Sequence, residues 1–239
     1  MGTVYPHNAA NFTQGLVWDS QRQTLWESTG FFGESALVES TLEGSQELRR
    51  RPLDASLFGE GAAIVGDTIL QLTWMSGECF VIERASDSLS LLQTFSFDGE
   101  GWGLAHDVAR SRLIMSDGSS TLVIRDPETF ALIAQVQVLD ENQQPVDALN
   151  ELEWDVVGNT LLANVWLSNR IARINLDTGR VIQWLDASAL VAVDPASSVN
   201  GGEPDNVLNG IAQVDGGGDL LLTGKRWQSI YRVPLPPLP

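Results

Sequence analysis

Five times along the chain a short phrase recurs in which glycine or a polar residue is set among small and aliphatic ones. The phrases are FTQGLVWD from Phe12, FGEGAAIV from Phe58, GWGLAHD from Gly101, LNELEWD from Leu149 and LNGIAQVD from Leu208. Each is followed by a turn, a second strand-like run (LWEST, LQLTW, IMSDG, ANVWL, LTGKRW), another turn and a third run (ALVES, FVIE, LVIR, IARI, IYRV). Aligning Gly15, Gly61, Gly103, Glu151 and Gly210 spaces the units by 46, 42, 48 and 59 residues. Helical periodicity is nearly absent, and the runs are short, β-branched or aromatic, and bounded by Gly, Asp, Asn and Ser. A period in the forties with several strands per unit is the signature of a β-propeller blade. The expectation is an all-β, five-bladed β-propeller that uses residues 1–239 as a single domain.

Composition narrows the function. With 31 acidic against 14 basic residues and a net charge of −17, nucleic acid is not an expected partner, because phosphate attracts the opposite sign. No run approaches the roughly 18 to 20 apolar residues of a membrane span. The single cysteine, Cys79, reads as strand core and permits neither an internal disulfide nor a thiolate cluster. His7 and His106 are far apart, there is no HExxH or GxSxG phrase, and Asp117, Asp126 and Asp177 sit in turn phrases. No cofactor is expected; a structural calcium ion in the channel is the one metal role left open.

In a propeller the first strand of each blade lines the central channel, so equivalent positions ring one mouth. The residues just before the aligned positions are Gln14, Glu60, Trp102, Asn150 and Asn209. Turn chemistry and core alternation explain the glycines and aliphatics of the phrases but not these five unlike groups, which suit a pocket better than a core. The second strands add Trp74, Trp166 and Lys225, with Ser116 and Asp117 in the third unit. The other tryptophans (Trp18, Trp26, Trp154, Trp184 and Trp227) are assigned to packing. Glu60 stands between two glycines; a carboxylate there, walled by indoles, would be desolvated and its pKa raised toward the range of a general acid or base. Lys225 is the only lysine beside thirteen arginines, which suggests a site that requires a compact ammonium. The long final spacing holds LDASALVAVDP, read as a short helix from Asp186, and the polar loop SSVNGGEPDN, either a surface insertion or a cover for one rim.

Taken in order, PHNAANFTQGL from Pro6, FGEG, QLTW, GEGWGL, SDGSSTLVIRDPETF, LNELEW, ANVW, VLNGIA and TGKRW make the chain resemble, essentially end to end, the plant and bacterial type of the glutamine cyclotransferase family. The resemblance implies a five-bladed propeller that converts the N-terminal glutamine of peptides or proteins to pyroglutamate with release of ammonia, an acyl transfer without zinc. It carries the acid–base carboxylate onto Glu60 and the pocket network onto Phe12, Gln14, Phe58, Trp74, Trp102, Asn150, Trp166 and Lys225. Lys225 and Asn150 are assigned to the oxyanion, with Gln14 as a further donor, and the indoles to enclosing the glutaminyl side chain. One departure is a turn, DVVGN, that makes the stretch from Asn150 to Trp166 two residues longer than in the plant phrase. The implied location is periplasmic or secreted; the N-terminus as given shows no signal peptide, which leaves the cytoplasm as the alternative. A monomer is expected. The competing class is a non-catalytic propeller that binds peptides at the same mouth.

Overall fold

The computed structural model describes residues 2–238. Five antiparallel four-stranded sheets are present. The first is β2 (Thr13–Asp19), β3 (Thr24–Thr29), β4 (Ala36–Ser40) and β5 (Glu47–Pro52). The second is β6 (Gly59–Val65), β7 (Thr68–Thr73), β8 (Glu78–Glu83) and β9 (Leu91–Ser96). The third is β10 (Leu104–Asp107), β11 (Arg112–Met115), β12 (Thr121–Arg125) and β13 (Leu132–Gln137). The fourth is β14 (Leu149–Asp155), β15 (Thr160–Val165), β16 (Arg170–Asn175) and β17 (Arg180–Asp186). The fifth is β18 (Leu208–Val214), β19 (Asp219–Gly224) and β20 (Ser229–Pro234), completed by β1 (Val4–Pro6) from the chain start. The first strands β2, β6, β10, β14 and β18 contact one another in a closed ring. The arrangement is the five-bladed β-propeller that the repeat predicts.

The fourth strand of each blade is what the repeat does not display. Inner strands lie between two neighbouring sheets and are buried on both faces, as in β3 and β7, where buried polar residues such as Glu27, Ser28 and Gln71 stand among the apolar ones. The outer strands β5, β9 and β13 are largely exposed, and on β9 and β13 even Leu91, Leu92, Leu132 and Ile133 face solvent, so these strands carry no alternation of buried and exposed residues that would mark them. Between blades the core is aliphatic: Leu162, Ile171, Leu208, Ile211 and Trp227 pack together where blades four and five meet. The insertion before blade five forms helix α1 (Ser188–Val193). It begins two residues later than the sequence suggests, because Asp186 ends β17 and its side chain accepts the Ser188 amide at 2.8 Å. Val191 of α1 is buried in the same blade-four/blade-five core.

Ring closure is the non-local step of this fold. β1 pairs with β20 in the register Val4↔Tyr231, Tyr5↔Ile230 and Pro6↔Ser229. His7 then clasps this edge to blade one. Its Nδ1 donates to the Trp227 carbonyl at 2.7 Å and its Nε2 to Glu27 Oε1 at 3.1 Å. Glu27 also accepts from Thr13 Oγ1 and Asn11 Nδ2, each at 2.6 Å. Burial works to lower the His7 pKa, but the Glu27 charge and these bonds carry it above 6.5. Burial likewise works to raise Glu27, and the His7 charge and the bonds from His7, Thr13 and Asn11 hold it below 4.5. The His7 contribution to stability is therefore complete below pH 6.5 and lost as pH rises through its raised pKa. The Glu27 contribution is present above 4.5 and lost as pH falls through its depressed pKa. Melting curves of wild type and His7→Ala should differ most between these two values, by about 3 kcal/mol for one broken partner of a buried pair. A difference that does not vary with pH would show that the clasp carries no charge.

Candidate active site

The side chains of one channel mouth are aimed by β-bulges. In blade one Thr13 pairs with Thr29 and Gly15 with Ser28, which leaves Gln14 as the extra residue. In blade two Glu60 and Gly61 lie between the pairs Gly59↔Thr73 and Ala62↔Gln71. In blades four and five the corresponding irregularities fall at Asn150–Glu151 and Asn209–Gly210. A bulge turns a side chain out of the alternating pattern, and here it does so at the position the repeat marks as polar. The glycines next to it let the inner strands approach closely. A Cβ on Gly61 would lie 2.6 Å from both the Trp102 carbonyl oxygen and the Leu104 amide nitrogen.

These side chains surround a cavity of about 220 Å³ lined by Phe12, Gln14, Phe31, Phe58, Glu60, Trp74, Trp102, Asn150, Trp166, Asp205 and Lys225. All nine residues that the family resemblance assigns to the site therefore line one cavity. Glu60, 3% exposed, accepts from Gln14 Nε2 at 2.7 Å through Oε1, while its Oε2 is buried without a partner. Burial pushes the Glu60 carboxyl well above the usual carboxylate range; the Lys225 ammonium pulls the other way and Glu100 adds to the rise. Lys225 is also buried, its Nζ 4.9 Å from the Phe12 ring centre. Burial lowers its pKa, partly countered by Glu60 and Asp205. Asn150 is buried with its Oδ1 unpartnered. The cavity thus holds a desolvated carboxylate and a desolvated ammonium, with free hydrogen-bonding capacity on Glu60 and Asn150.

The walls are aromatic. Phe12 meets Phe31 edge-on at 4.6 Å, and Phe58 meets Trp74 at 5.5 Å and Phe12 at 6.2 Å. Trp102 and Trp166 cross at 87° with centres 5.7 Å apart. The Trp74, Trp166 and Lys225 backbones occupy equivalent places, each donating its N–H to the carbonyl two residues before the bulge position: Phe58, Ala148 and Val207. Trp26, Trp154 and Trp227 are buried in packing, and Trp18 and Trp184 lie half-buried against core clusters.

Four residues singled out in the sequence do not line this cavity. Asn209 is buried and donates through Nδ2 to the Thr13 carbonyl at 2.9 Å and to Gln14 Oε1 at 3.3 Å, so it orients Gln14 toward Glu60. The Ser116 hydroxyl donates to the Asn150 carbonyl and accepts from the Gly103 amide, both at 2.7 Å, which ties blade three to blade four. Asp117 caps its own turn at Ser119. Glu151 is buried among the inner strands, its carboxylate accepting the backbone amides of Leu16 at 3.2 Å and Ile211 at 2.8 Å. Beyond it, on the far side, lies a second cavity that includes Glu153, whose burial pushes its carboxyl up to about 8.

Three residues near the mouth escape sequence reasoning. Phe31 lies at φ +85°, a costly conformation for a bulky side chain, held there by its carbonyl accepting the Glu34 and Ser35 amides and the Ser35 hydroxyl. Asp205 comes from the end of the insertion, so that loop forms part of the rim while α1 packs on the blades. Glu100 accepts the indole N–H groups of both Trp74 and Trp102. Phe31 breaks the rule that positive φ selects glycine, and the other two lie in links between blades outside the repeat. Among the described residues no group of three or more His, Cys, Asp or Glu side chains is placed to hold a metal ion.

The fold and site together define a β-propeller with a buried carboxylate and a buried ammonium sharing one aromatic pocket at the channel mouth. The chain belongs to the glutamine cyclotransferase family, whose sequence profile matches residues 2–235. It is 34% identical over 232 residues to a glutaminyl-peptide cyclotransferase of Arabidopsis thaliana, covering 97% of this chain and 69% of that protein. It also superposes on the crystal structure of Myxococcus xanthus glutaminyl cyclase with a TM-score of 0.85 at 35% identity, covering 96% of this chain and 93% of that one. A luciferin-regenerating enzyme matches at a TM-score of 0.59 with 12% identity, a likeness of fold alone.

Proposed function

We propose that this cavity cyclises the N-terminal glutaminyl residue of peptides or proteins to pyroglutamate and releases ammonia, an intramolecular acyl transfer. The observation that carries the reading is Glu60: a buried carboxylate with one oxygen held by Gln14 and the other unpartnered, in an aromatic cavity it shares with a buried ammonium. Nucleophile and electrophile belong to one residue, so the pocket's work is orientation, proton transfer and charge stabilisation. The α-amine attacks the side-chain carboxamide carbon, forming the ring C–N bond and a tetrahedral oxyanion. Glu60 takes a proton from the attacking nitrogen and returns it to the departing one, so that the old C–N bond breaks with ammonia as the leaving group. Lys225 Nζ and the Asn150 amide stabilise the oxyanion, with Gln14 holding Glu60 in place. Phe12, Phe58, Trp74, Trp102 and Trp166 enclose the side chain and exclude water, which would otherwise compete as nucleophile.

Glu60 must begin as the carboxylate, so its raised pKa in the free protein places the acidic limb of kcat/KM above the ordinary carboxylate range. The proposal uses no metal ion, and a structural calcium ion in the channel would leave the chemistry unchanged. The protein is taken to act as a monomer, and the family likeness supports a periplasmic or secreted setting. The test is ammonia release from a Gln-initiated dipeptide amide, with Asn-initiated and N-acetylated peptides as controls, before and after treatment with a zinc chelator. Release from the first peptide alone, unchanged by the chelator, is expected. Activity that the chelator abolishes and zinc restores would overturn the metal-free mechanism. Peptide binding without ammonia release would favour the non-catalytic alternative.

A further inference from the structure

A single oxygen atom links the two halves of the pocket wall. Glu100 lies between β9 and β10, and backbone bonds pin the two residues that follow it. Gly101 N donates to the Trp74 carbonyl at 3.0 Å and Trp102 N to the Ser116 carbonyl at 2.9 Å. Glu100 Oε2 then accepts Trp74 Nε1–H at 2.7 Å and Trp102 Nε1–H at 2.9 Å. The two indoles belong to different stacks, Trp74 against Phe58 and Trp102 against Trp166. Among the described residues no ring–ring contact joins those stacks, so Glu100 is their connection. It does not itself line the cavity.

Buried indole N–H groups need an acceptor, but any carbonyl would satisfy them. A carboxylate makes shorter, stronger bonds and places a negative charge near the acid–base group. We propose that Glu100 is the positioning residue of this pocket: its Oε2 locks the Trp74 and Trp102 indoles in one arrangement, so that both aromatic stacks close on the glutaminyl side chain as a single wall. The inference rests on the cyclisation reading above.

Glu100 also acts on Glu60 through charge. The groups around Glu60 are Gln14, which donates to it, the Asn150 amide, the Lys225 ammonium and Asp205 at the rim. Lys225 favours the ionised form of Glu60 and Glu100 the protonated form. Geometry and charge can therefore be separated by substitution. Glu100→Gln keeps a carbonyl oxygen for both indoles and removes the charge, whereas Glu100→Asp keeps the charge and withdraws the oxygen by one methylene.

The experiment is steady-state kinetics on a Gln-initiated dipeptide amide as a function of pH, together with near-ultraviolet circular dichroism of the indoles. Glu100→Gln should keep KM within about twofold of wild type. It should also keep the wild-type indole spectrum and move the acidic limb of kcat/KM to lower pH, because a charge that favours protonated Glu60 has gone. Glu100→Asp should alter the indole spectrum and lower kcat/KM by about 100-fold, mainly through KM, without moving that limb. Glu100→Asp with wild-type KM and spectrum would overturn the proposal, as would Glu100→Gln impaired in KM as severely as Glu100→Asp. If the wild-type protein releases no ammonia the cyclisation reading fails, and the indole spectra of the two variants still decide whether Glu100 positions the wall.

Discussion

Glu60→Gln is expected to fold like the parent protein and to lose roughly two to four decades of kcat, the usual worth of a positioned acid–base group. The isosteric amide fills the same space between Gly59 and Gly61 and can still accept from Gln14 Nε2, as Glu60 does at 2.7 Å. What it cannot do is carry a proton from the α-amine to the leaving nitrogen. KM should change little, because the aromatic walls that hold the side chain are untouched. The melting temperature should not fall, since the substitution removes a desolvated carboxylate from a buried site. Turnover above about a third of wild type would move the acid–base role elsewhere. Glu151, the neighbouring acidic residue, is a poor substitute: its carboxylate accepts two backbone amides among the inner strands and does not reach the cavity.

Lys225→Arg and Lys225→Ala should lose similar activity, roughly 2.7 to 4 kcal/mol of transition-state stabilisation or two to three decades in kcat. The cavity is narrow and Lys225 Nζ already lies 4.9 Å from the Phe12 ring centre. A guanidinium is wider than an ammonium and delivers its donors in a fixed plane, so it would miss the developing oxyanion. Lys225→Ala carries a second signature. The Lys225 charge favours ionised Glu60, so its removal raises the Glu60 pKa further and moves the acidic limb of kcat/KM to higher pH. That shift is opposite to the one expected for Glu100→Gln. Near-wild-type turnover in the arginine variant would mean that positive charge alone matters, and Asn150 would become the principal oxyanion donor.

Much of this site is legible in the sequence because a propeller repeats. Five aligned phrases make Gln14, Glu60, Trp102, Asn150 and Asn209 comparable with one another, and a residue that breaks a packing pattern at such a position stands out. The same comparison brings forward Trp74, Trp166 and Lys225 on the second strands. The inner strands are legible for a related reason: each belongs to, or directly follows, a phrase that recurs in every blade. The outer strands β5, β9 and β13 share no recurring phrase, because their exposed faces make no packing demand that would repeat from blade to blade.

The repeat thus specifies the blade count, the inner strands and the group of residues from which the pocket is built. Which of those groups face the cavity is settled by contacts between blades. Asn209 and Ser116 become supports, and Glu151 becomes a tie between inner strands, because backbone partners from other blades set their direction. Tertiary contact alone also recruits Phe31, Asp205 and Glu100 and closes the ring by pairing β1 with β20. The physical reason is range. A strand or turn is dictated by residues a few positions apart, whereas the direction of a side chain at the mouth depends on hydrogen bonds to segments 26 to 220 positions away, such as Trp74 to Glu100, Gln14 to Glu60 and His7 to Trp227.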